Sequence, residues 1–238
     1  MKVDILAIGV HPDDVELCAS GTVMRHINQG RSVGLLDLTA GELGTRGNAE
    51  IRIKEAGDAA KYMGVAFRDN AGLRDGFFTQ NEENLLPIVR FIRHYQPTVV
   101  LTNALKDRHP DHGRAAELVY QACFLAGLIK IQTQWNGAIQ SRWRPQTIYH
   151  FIQDQQLYPH LVIDITDYID RKMEAIMCFK SQFYDPESED MSSPISGQDF
   201  LHFIQAAARV AGRWIGVEYA ESFNVRRPIG VNDFLDLL

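Results

Sequence analysis

The sequence predicts an α/β protein with a mostly parallel sheet that helices cover on both faces. Short apolar runs alternate with longer amphipathic segments along the 238 residues, which gives a β–α–β order and parallel pairing. The first run, residues 3–9, is nearly continuously apolar, as in a strand that is buried on both faces. Ligands of such sheets bind beyond the carboxyl ends of the strands, so the residues after each strand are the functional candidates.

Each element has a local sequence signal. The predicted strands are residues 3–9, 32–39, 65–67 (weak), 98–102, 147–152 and 161–165. The predicted helices are residues 20–29, 49–63, 82–95, 114–129, 168–183 and 198–211. Gly30 and Gly64 follow the first two helices, where helices commonly stop, and residues 98–102 (TVVLT) have high β propensity. Residues 185–197 are polar, acidic and rich in helix breakers, so a mobile loop or lid is expected there.

The composition excludes several classes of protein. The 24 basic and 30 acidic residues give a formal net charge of −6, which argues against a nucleic-acid-binding surface. No apolar stretch approaches the roughly 18 residues that a membrane span needs, and the first residues do not resemble a signal peptide. Three widely spaced cysteines argue against a disulfide framework. We therefore expect a cytoplasmic protein without nucleic-acid or membrane partners.

Imidazole and carboxylate side chains follow two of the predicted strands. The segment His11-Pro12-Asp13-Asp14-Val15-Glu16 comes after the first strand, and Asp107-Arg108-His109-Pro110-Asp111-His112 comes a few residues after the strand at 98–102. These side chains suit zinc, and a catalytic zinc site usually has three protein ligands and one open position. A tight turn can aim both His11 and Asp14 at one ion, and His112 can complete the set.

Three residues beside the predicted ligands are available for chemistry. Asp13 points away from the ion and is expected to act on the attacking water as a general base. His109 is expected to face the substrate carbonyl. Asp111 is close enough in sequence to hold the His109 ring and favour its charged form.

Two other functions fit part of this pattern. Paired acids after a strand also occur in magnesium-dependent phosphohydrolases, although magnesium prefers oxygen ligands and the histidines count against it. A metal-binding subunit without turnover would not require Asp13 and His109. A nucleotide-binding domain would need a glycine-rich loop after the first strand, where this chain has His-Pro-Asp-Asp.

On the two motifs His11-Pro12-Asp13-Asp14-Val15-Glu16 and His109-Pro110-Asp111-His112, the sequence resembles the PIG-L/LmbE-like family of zinc-dependent N-acetylglucosaminyl deacetylases. The segments Gly41-Glu42-Leu43-Gly44-Thr45-Arg46-Gly47, Ser181-Gln182-Phe183 and Gly216-Val217-Glu218-Tyr219-Ala220-Glu221 are most similar to the branch that deacetylates N-acetylglucosaminyl-malate in bacillithiol biosynthesis.

The resemblance implies a single deacetylase domain over residues 1–238 with a Rossmann-like, three-layer α/β/α fold. It implies a zinc ion held by His11, Asp14 and His112, with Asp13 as base and His109 as the oxyanion-stabilising imidazole. A small N-acetyl sugar conjugate is the implied substrate, and a homo-oligomer, as large as a hexamer, is the implied assembly. If the aglycone carries carboxylates, as malate does, Arg52, Arg108 and Arg46 are the candidate substrate-binding residues.

Overall fold

The computed structural model describes residues 2–187 and 190–236. Its strands are β1 (Ile5–Gly9), β2 (Val33–Asp37), β3 (Arg68–Asn70), β4 (Val99–Thr102), β5 (Gln134–Trp135), β6 (Ala138–Ile139), β7 (Thr147–Phe151), β8 (Leu161–Asp164) and β9 (Ala220–Asn224). Its α-helices are α1 (Asp14–Asn28), α2 (Ala49–Met63), α3 (Glu82–Tyr95), α4 (Pro110–Ala126), α5 (Ile169–Ile176) and α6 (Gln198–Ile215), with short 3-10 helices at Thr166–Tyr168 and Phe234–Asp236.

Seven of these strands form one sheet in the order β3-β2-β1-β4-β7-β9-β8. The strands from β3 to β7 are parallel, and Ile5 at the start of β1 aligns with Val33 of β2 and Val99 of β4. β9 runs antiparallel to both β7 and β8. This confirms the predicted, mostly parallel α/β architecture, and it places the ends of β1 and β4 side by side at one edge.

Helices pack on both faces of the sheet because β1 is apolar on both faces. Leu6 and Ile8 lie in the buried cluster that includes side chains of α3 and α4. Ile5 and Ala7 lie in the opposite cluster, which includes side chains of α1 and α5. The alternation follows from the two-residue repeat of a strand, and it gives the three layers.

The first helix begins at Asp14, six residues before the predicted start at Ser20. The apolar pattern failed here because Glu16, which is fully buried, interrupts it. Its carboxylate pairs with Arg68 across 2.6 Å, and Arg68 also binds Asp37 at 2.7 Å. A buried charge that is paired in this way fills a core position but has a polar sequence signature.

Other boundaries also differ from the predictions. The third strand is Arg68–Asn70 rather than 65–67; its three residues are polar, and Arg68 is used in ion pairs with the buried Glu16 and Asp37. α5 ends at Ile176, seven residues early, and α6 continues to Ile215. The hairpin of β5 and β6 and the strand β9 were not predicted. Of residues 185–197, positions 188 and 189 lie outside the described residues, and the lid prediction stays a prediction.

Within the residues that the structure describes, no helix combines the length and apolarity needed to cross a membrane.

Candidate functional site

The two histidine-containing segments meet at the edge where β1 and β4 end. The ring centroids of His11 and His112 lie 5.7 Å apart, and that of His109 lies 4.9 Å from His11 and 5.0 Å from His112. His11 follows β1 directly, whereas His109 is the N-cap of α4 and places His112 in its first turn. Two distant stretches of chain thus bring three imidazoles together.

Asp14 lies between His11 and His112. Its carboxylate is 3.9 Å from Nδ1 of His11 and 3.3 Å from Nε2 of His112. The side-chain amide of Asn103 and the backbone amide of His11 each donate to Asp14 Oδ2 at 2.9 Å. Burial opposes ionisation of Asp14, but the charge and hydrogen bond of His112, followed by the charge of His11, outweigh it and lower its pKa. Asp14 is therefore a fixed, ionised carboxylate.

The His11 and His112 rings each have a further carboxylate beside the nitrogen that does not face Asp14, and this carboxylate orients the ring. Asp75 Oδ1 lies 3.0 Å from Nε2 of His11, and Asp107 Oδ2 lies 2.7 Å from Nδ1 of His112. Burial alone would lower the pKa of His112. The negative charges and hydrogen bonds of Asp14 and Asp107 have the larger effect, and they raise the pKa to about 10. Imidazoles that bind a metal typically donate their second N–H to such a carboxylate. Two oriented imidazoles and one carboxylate are a donor set that fits zinc.

Two groups of three described residues have potential metal-binding atoms that all lie within 4.8 Å of one another: His11 with His109 and His112, and His11 with Asp75 and Asp111; Asp14 is in neither group. The first group requires His109 as a ligand. The backbone amide of Asp111 donates to Nδ1 of His109 at 3.3 Å, so the proton of the neutral ring lies on Nε2. A protonated nitrogen cannot bind a metal, which favours His109 as a hydrogen-bond donor instead.

Asp13 combines burial, strain and a shifted pKa. Its backbone has φ 141°, a value that side-chain-bearing residues rarely adopt, and the residue is only 4% exposed. Burial raises the pKa of Asp13 to about 7, although Arg52 opposes the shift and Asp14 adds to it. A carboxylate with a pKa near neutrality suits a general base.

Arg52 contacts Asp13 directly. Its guanidinium lies 2.9 Å from Asp13 Oδ2 and also donates to the carbonyl oxygens of Gly41 and Pro12 at 3.0 Å. These contacts give Arg52 a role in holding the acid, beside the predicted role in binding substrate. Arg46, which is buried, pairs with Asp190 at 3.8 Å. Arg108 pairs with Asp154 nearer to the surface. All three arginines line the same cavity as Asp13, and their contact with substrate stays a prediction.

Asp111 does not hold the His109 ring through its carboxylate. The carboxylate accepts from the backbone amide of Gly76 at 3.0 Å and pairs with Arg114 at 2.9 Å. The ring is held by the backbone amide of Asp111, because His109 caps α4 and the cap geometry aims that N–H at Nδ1. Burial first, and then the charges of His11 and His112, lower the pKa of His109. These effects outweigh the charge of Asp111, so the neutral form of His109 is favoured rather than the charged form that the sequence analysis expected.

Gln153 is a site residue that the sequence analysis missed. It follows β7, and its side-chain amide donates to Asp14 Oδ1 at 3.0 Å and lies 3.3 Å from His112 Nε2. Its oxygen accepts from the side chain of Asn103 at 3.0 Å and the backbone of Ala104 at 3.1 Å. Gln153 and Asp75 both follow strands, so extending the strand-end rule to β7 and β3 would have identified them.

Comparisons with known proteins identify sequences and structures that are similar to this chain. The profile of the family described as "PIG-L: GlcNAc-PI de-N-acetylase" matches residues 6–123, which contain both histidine motifs. The diacetylchitobiose deacetylase of Thermococcus kodakarensis is 28% identical over 91% of this chain and 80% of its own length. The probable N-acetyl-alpha-D-glucosaminyl L-malate deacetylase 2 of Bacillus anthracis is 26% identical over 75% of this chain and 81% of its own length.

A solved structure covers nearly the whole chain. The conserved protein TT1542 from Thermus thermophilus is 32% identical, covers 98% of both chains and superposes with a TM-score of 0.86. The family profile spans the strands and helices that carry both histidine segments, and the similarity to this structure extends over the remaining elements. The chain belongs to the PIG-L family.

Proposed function

We propose that this protein is a zinc-dependent hydrolase that removes the acetyl group from an N-acetylglucosamine conjugate. The observation that carries the proposal is that the ring nitrogens of the three imidazoles have different partners. His11 and His112 each have a carboxylate on one nitrogen and Asp14 facing the other, whereas His109 keeps a protonated Nε2 at the same edge. This arrangement suits His11 and His112 as metal ligands and His109 as a hydrogen-bond donor.

His11, Asp14 and His112 would hold the metal. When bound, zinc lowers the pKa of a water ligand to about 7 and polarises a carbonyl oxygen. Asn103 and Gln153 fix the Asp14 carboxylate through the hydrogen bonds described above, so the ligand does not have to reorganise when the ion binds.

Asp13 acts as the general base. Its carboxylate takes a proton from water as the water attacks the acetyl carbonyl carbon. Arg52 holds Asp13 Oδ2 and keeps the carboxylate in place at a buried position. As the C–N bond breaks, Asp13 gives this proton to the leaving nitrogen, so that acetic acid, which ionises to acetate, and a free amino sugar are released.

His109 stabilises the negative charge that develops on the carbonyl oxygen. Its Nδ1 accepts the α4 capping bond, so its Nε2–H is available as a donor even in the neutral ring. A donor that is fixed in advance costs no reorganisation during the reaction.

Within this class, N-acetylglucosaminyl-malate is the candidate that the sequence resemblance and the Bacillus anthracis relative favour. Diacetylchitobiose is a second candidate, favoured by the Thermococcus relative. The assay that separates them is acetate release from N-acetylglucosaminyl-malate, N-acetylglucosamine and diacetylchitobiose by metal-free protein reloaded with one equivalent of zinc.

The same assay tests the reaction class. We expect zinc-dependent acetate release from at least one of these sugars. Phosphate release from phosphate esters with Mg²⁺ or Mn²⁺, and no acetate release with zinc, would instead favour a phosphohydrolase.

A further inference from the structure

The candidate site opens into a cavity of about 410 Å³ with two different walls. One wall carries the histidines and acids already described. The other wall is formed largely by α6 and the residues just before it, and its side chains are apolar. The members of this apolar wall that the argument uses are Leu17, Ile195, Phe200, Phe203, Ile204 and Ala207.

The apolar wall is anchored to the protein core. Phe200, Phe203 and Ala207 recur at intervals of three and four residues, which places them on one face of α6. The Phe200 ring stacks with Phe183, which is fully buried, at a centroid distance of 6.1 Å, and Phe203 stacks with Phe200 at 6.1 Å. Phe203 itself is only partly buried and lines the cavity.

Positive charge in the cavity is already neutralised. Among the described residues that line it, every arginine and lysine is paired with an acid. The pairs are Arg46–Asp190, Arg52–Asp13, Arg108–Asp154, Arg114–Asp111 and Lys172–Glu221. A dicarboxylate aglycone would have to compete with the protein's own acids for these cations. The competition costs little at the exposed Arg108–Asp154 pair and most at the buried Arg52–Asp13 and Lys172–Glu221 pairs.

We propose that the substrate carries an apolar aglycone, an alkyl or aryl group linked to N-acetylglucosamine, which packs against the Phe203 face of α6. This inference rests on the proposed function and names the substrate class for the same site. The polar wall would receive the acetamido sugar, and the apolar wall would remove the aglycone from water. Burial of apolar surface on binding then adds affinity for each methylene group that the wall covers.

The test compares three N-acetylglucosamine conjugates that differ only in the aglycone: methyl, hexyl and malate. With zinc-loaded protein we expect kcat/KM for the hexyl glycoside to exceed that for the methyl glycoside by about tenfold, and to exceed that for the malate conjugate. Phe203→Ala should reduce the hexyl-to-methyl ratio towards one, and Phe203→Leu, which keeps an apolar side chain, should preserve most of it. Val210→Ala is the matched control, because Val210 lies on the same helix, is 56% exposed and does not line the cavity.

Equal kcat/KM for the methyl and hexyl glycosides would overturn this inference while the proposed function stands. A higher kcat/KM for the malate conjugate than for the hexyl glycoside would also overturn it. Acetate release from none of the three would overturn the proposed function itself, so the two failures are distinguishable.

Discussion

Asp13, which lies just after β1, has both an unusual backbone conformation and a buried, paired carboxylate. Its φ of 141° turns the chain so that Asp14 and His11 face each other, and its own side chain is left buried against Arg52. Unfavourable backbone conformations of this kind persist only where the surrounding structure determines them, and they cluster at functional sites. The backbone and the side chain of Asp13 therefore point to the same site.

Asp13→Asn is expected to keep the metal and lose turnover. The amide preserves the shape of the side chain but cannot take a proton, and loss of a general base typically lowers kcat by about 10²–10⁴-fold. Zinc stoichiometry and acetate release are measured on the same preparation. Near-normal turnover with bound zinc would remove Asp13 from the mechanism.

His109 and His112 are expected to respond differently to substitution. His112→Ala should lose both zinc and activity, whereas His109→Ala should bind one equivalent of zinc and lose about 10²–10³-fold in kcat, as for a missing oxyanion donor. Metal analysis after dialysis reads this contrast. Zinc loss in His109→Ala would show instead that His11, His109 and His112 form the ligand set.

Asp107→Asn should weaken zinc binding by about 10–100-fold, because an outer carboxylate orients its imidazole and raises its basicity. Asp107 lies 2.7 Å from His112 Nδ1, on the side away from Asp14. A competition titration with a chromophoric chelator measures the affinity, and Asp58→Asn, at an exposed position of α2, is the control. Unchanged affinity in Asp107→Asn would show that His112 needs no such partner.

At the scale of elements, one buried ion pair connects three of them. Lys172 of α5 lies 2.6 Å from Glu221 of β9, and both side chains are buried. Glu221 accepts hydrogen bonds from the backbone amides of Gly21 and Thr22 in α1, and Lys172 donates to the carbonyl oxygen of Leu17. The pair therefore holds the helix that begins at Asp14 against the far side of the sheet.

Lys172→Met should lower the free energy of unfolding by about 3–5 kcal/mol, because it leaves the Glu221 carboxylate buried without a counter-charge. Urea denaturation measures the loss, and Lys180→Met, at an exposed position, is the control. Adding Glu221→Gln should restore part of the stability, since the amide oxygen still accepts from α1. A single variant within about 1 kcal/mol of the unmodified protein would show that the pair contributes little.

Three of the differences between the predicted and the observed elements share one physical cause. Glu16, Arg68 and Glu221 occupy buried positions in α1, β3 and β9, yet they are charged, so apolar periodicity does not detect them. Their burial is possible only because their partners come from elements distant in sequence. The start of α1, the position of β3 and the existence of β9 could not follow from local pattern for this reason.

At the scale of the whole molecule, the sheet and its functional edge were predictable. The apolar runs of β1 and β4 identify neighbouring central strands, and the motifs after them must then lie at the same edge. The partners Asp75 and Gln153 have a weaker signal, because each is a single polar residue in a loop and only its position after a strand marks it. The single-domain and oligomer expectations stay predictions, tested by calorimetry and light scattering.

The pH dependence of global stability should report on His150, a fully buried residue of β7. Its Nδ1–H donates to the carbonyl oxygen of Asn103 at 2.9 Å, and burial lowers its pKa from 6.5 to about 4. Between these values the unfolded chain takes up a proton that the folded chain does not. Stability should therefore fall as the pH drops from 6.5 to 4, by about 3 kcal/mol from this group.

His150→Asn keeps a donor for the Asn103 carbonyl and removes the titration, so it should flatten this pH dependence. Urea unfolding in the presence of a chelator, so that metal loss does not contribute, measures the slope. His202→Asn, at an exposed position of α6, is the control. Identical slopes for the unmodified protein and His150→Asn would show that the imidazole is already charged in the folded state.

The backbone twist at Asp13 has a consequence for protein engineering. Glycine adopts that conformation readily, but Asp13→Gly would also leave the buried Arg52 guanidinium without its counter-charge. Loss of a buried partner costs about 3–5 kcal/mol, more than the roughly 1–3 kcal/mol of backbone strain that glycine would relieve. A screen that selects variants for thermal survival alone would therefore tend to retain Asp13, even without any selection for turnover.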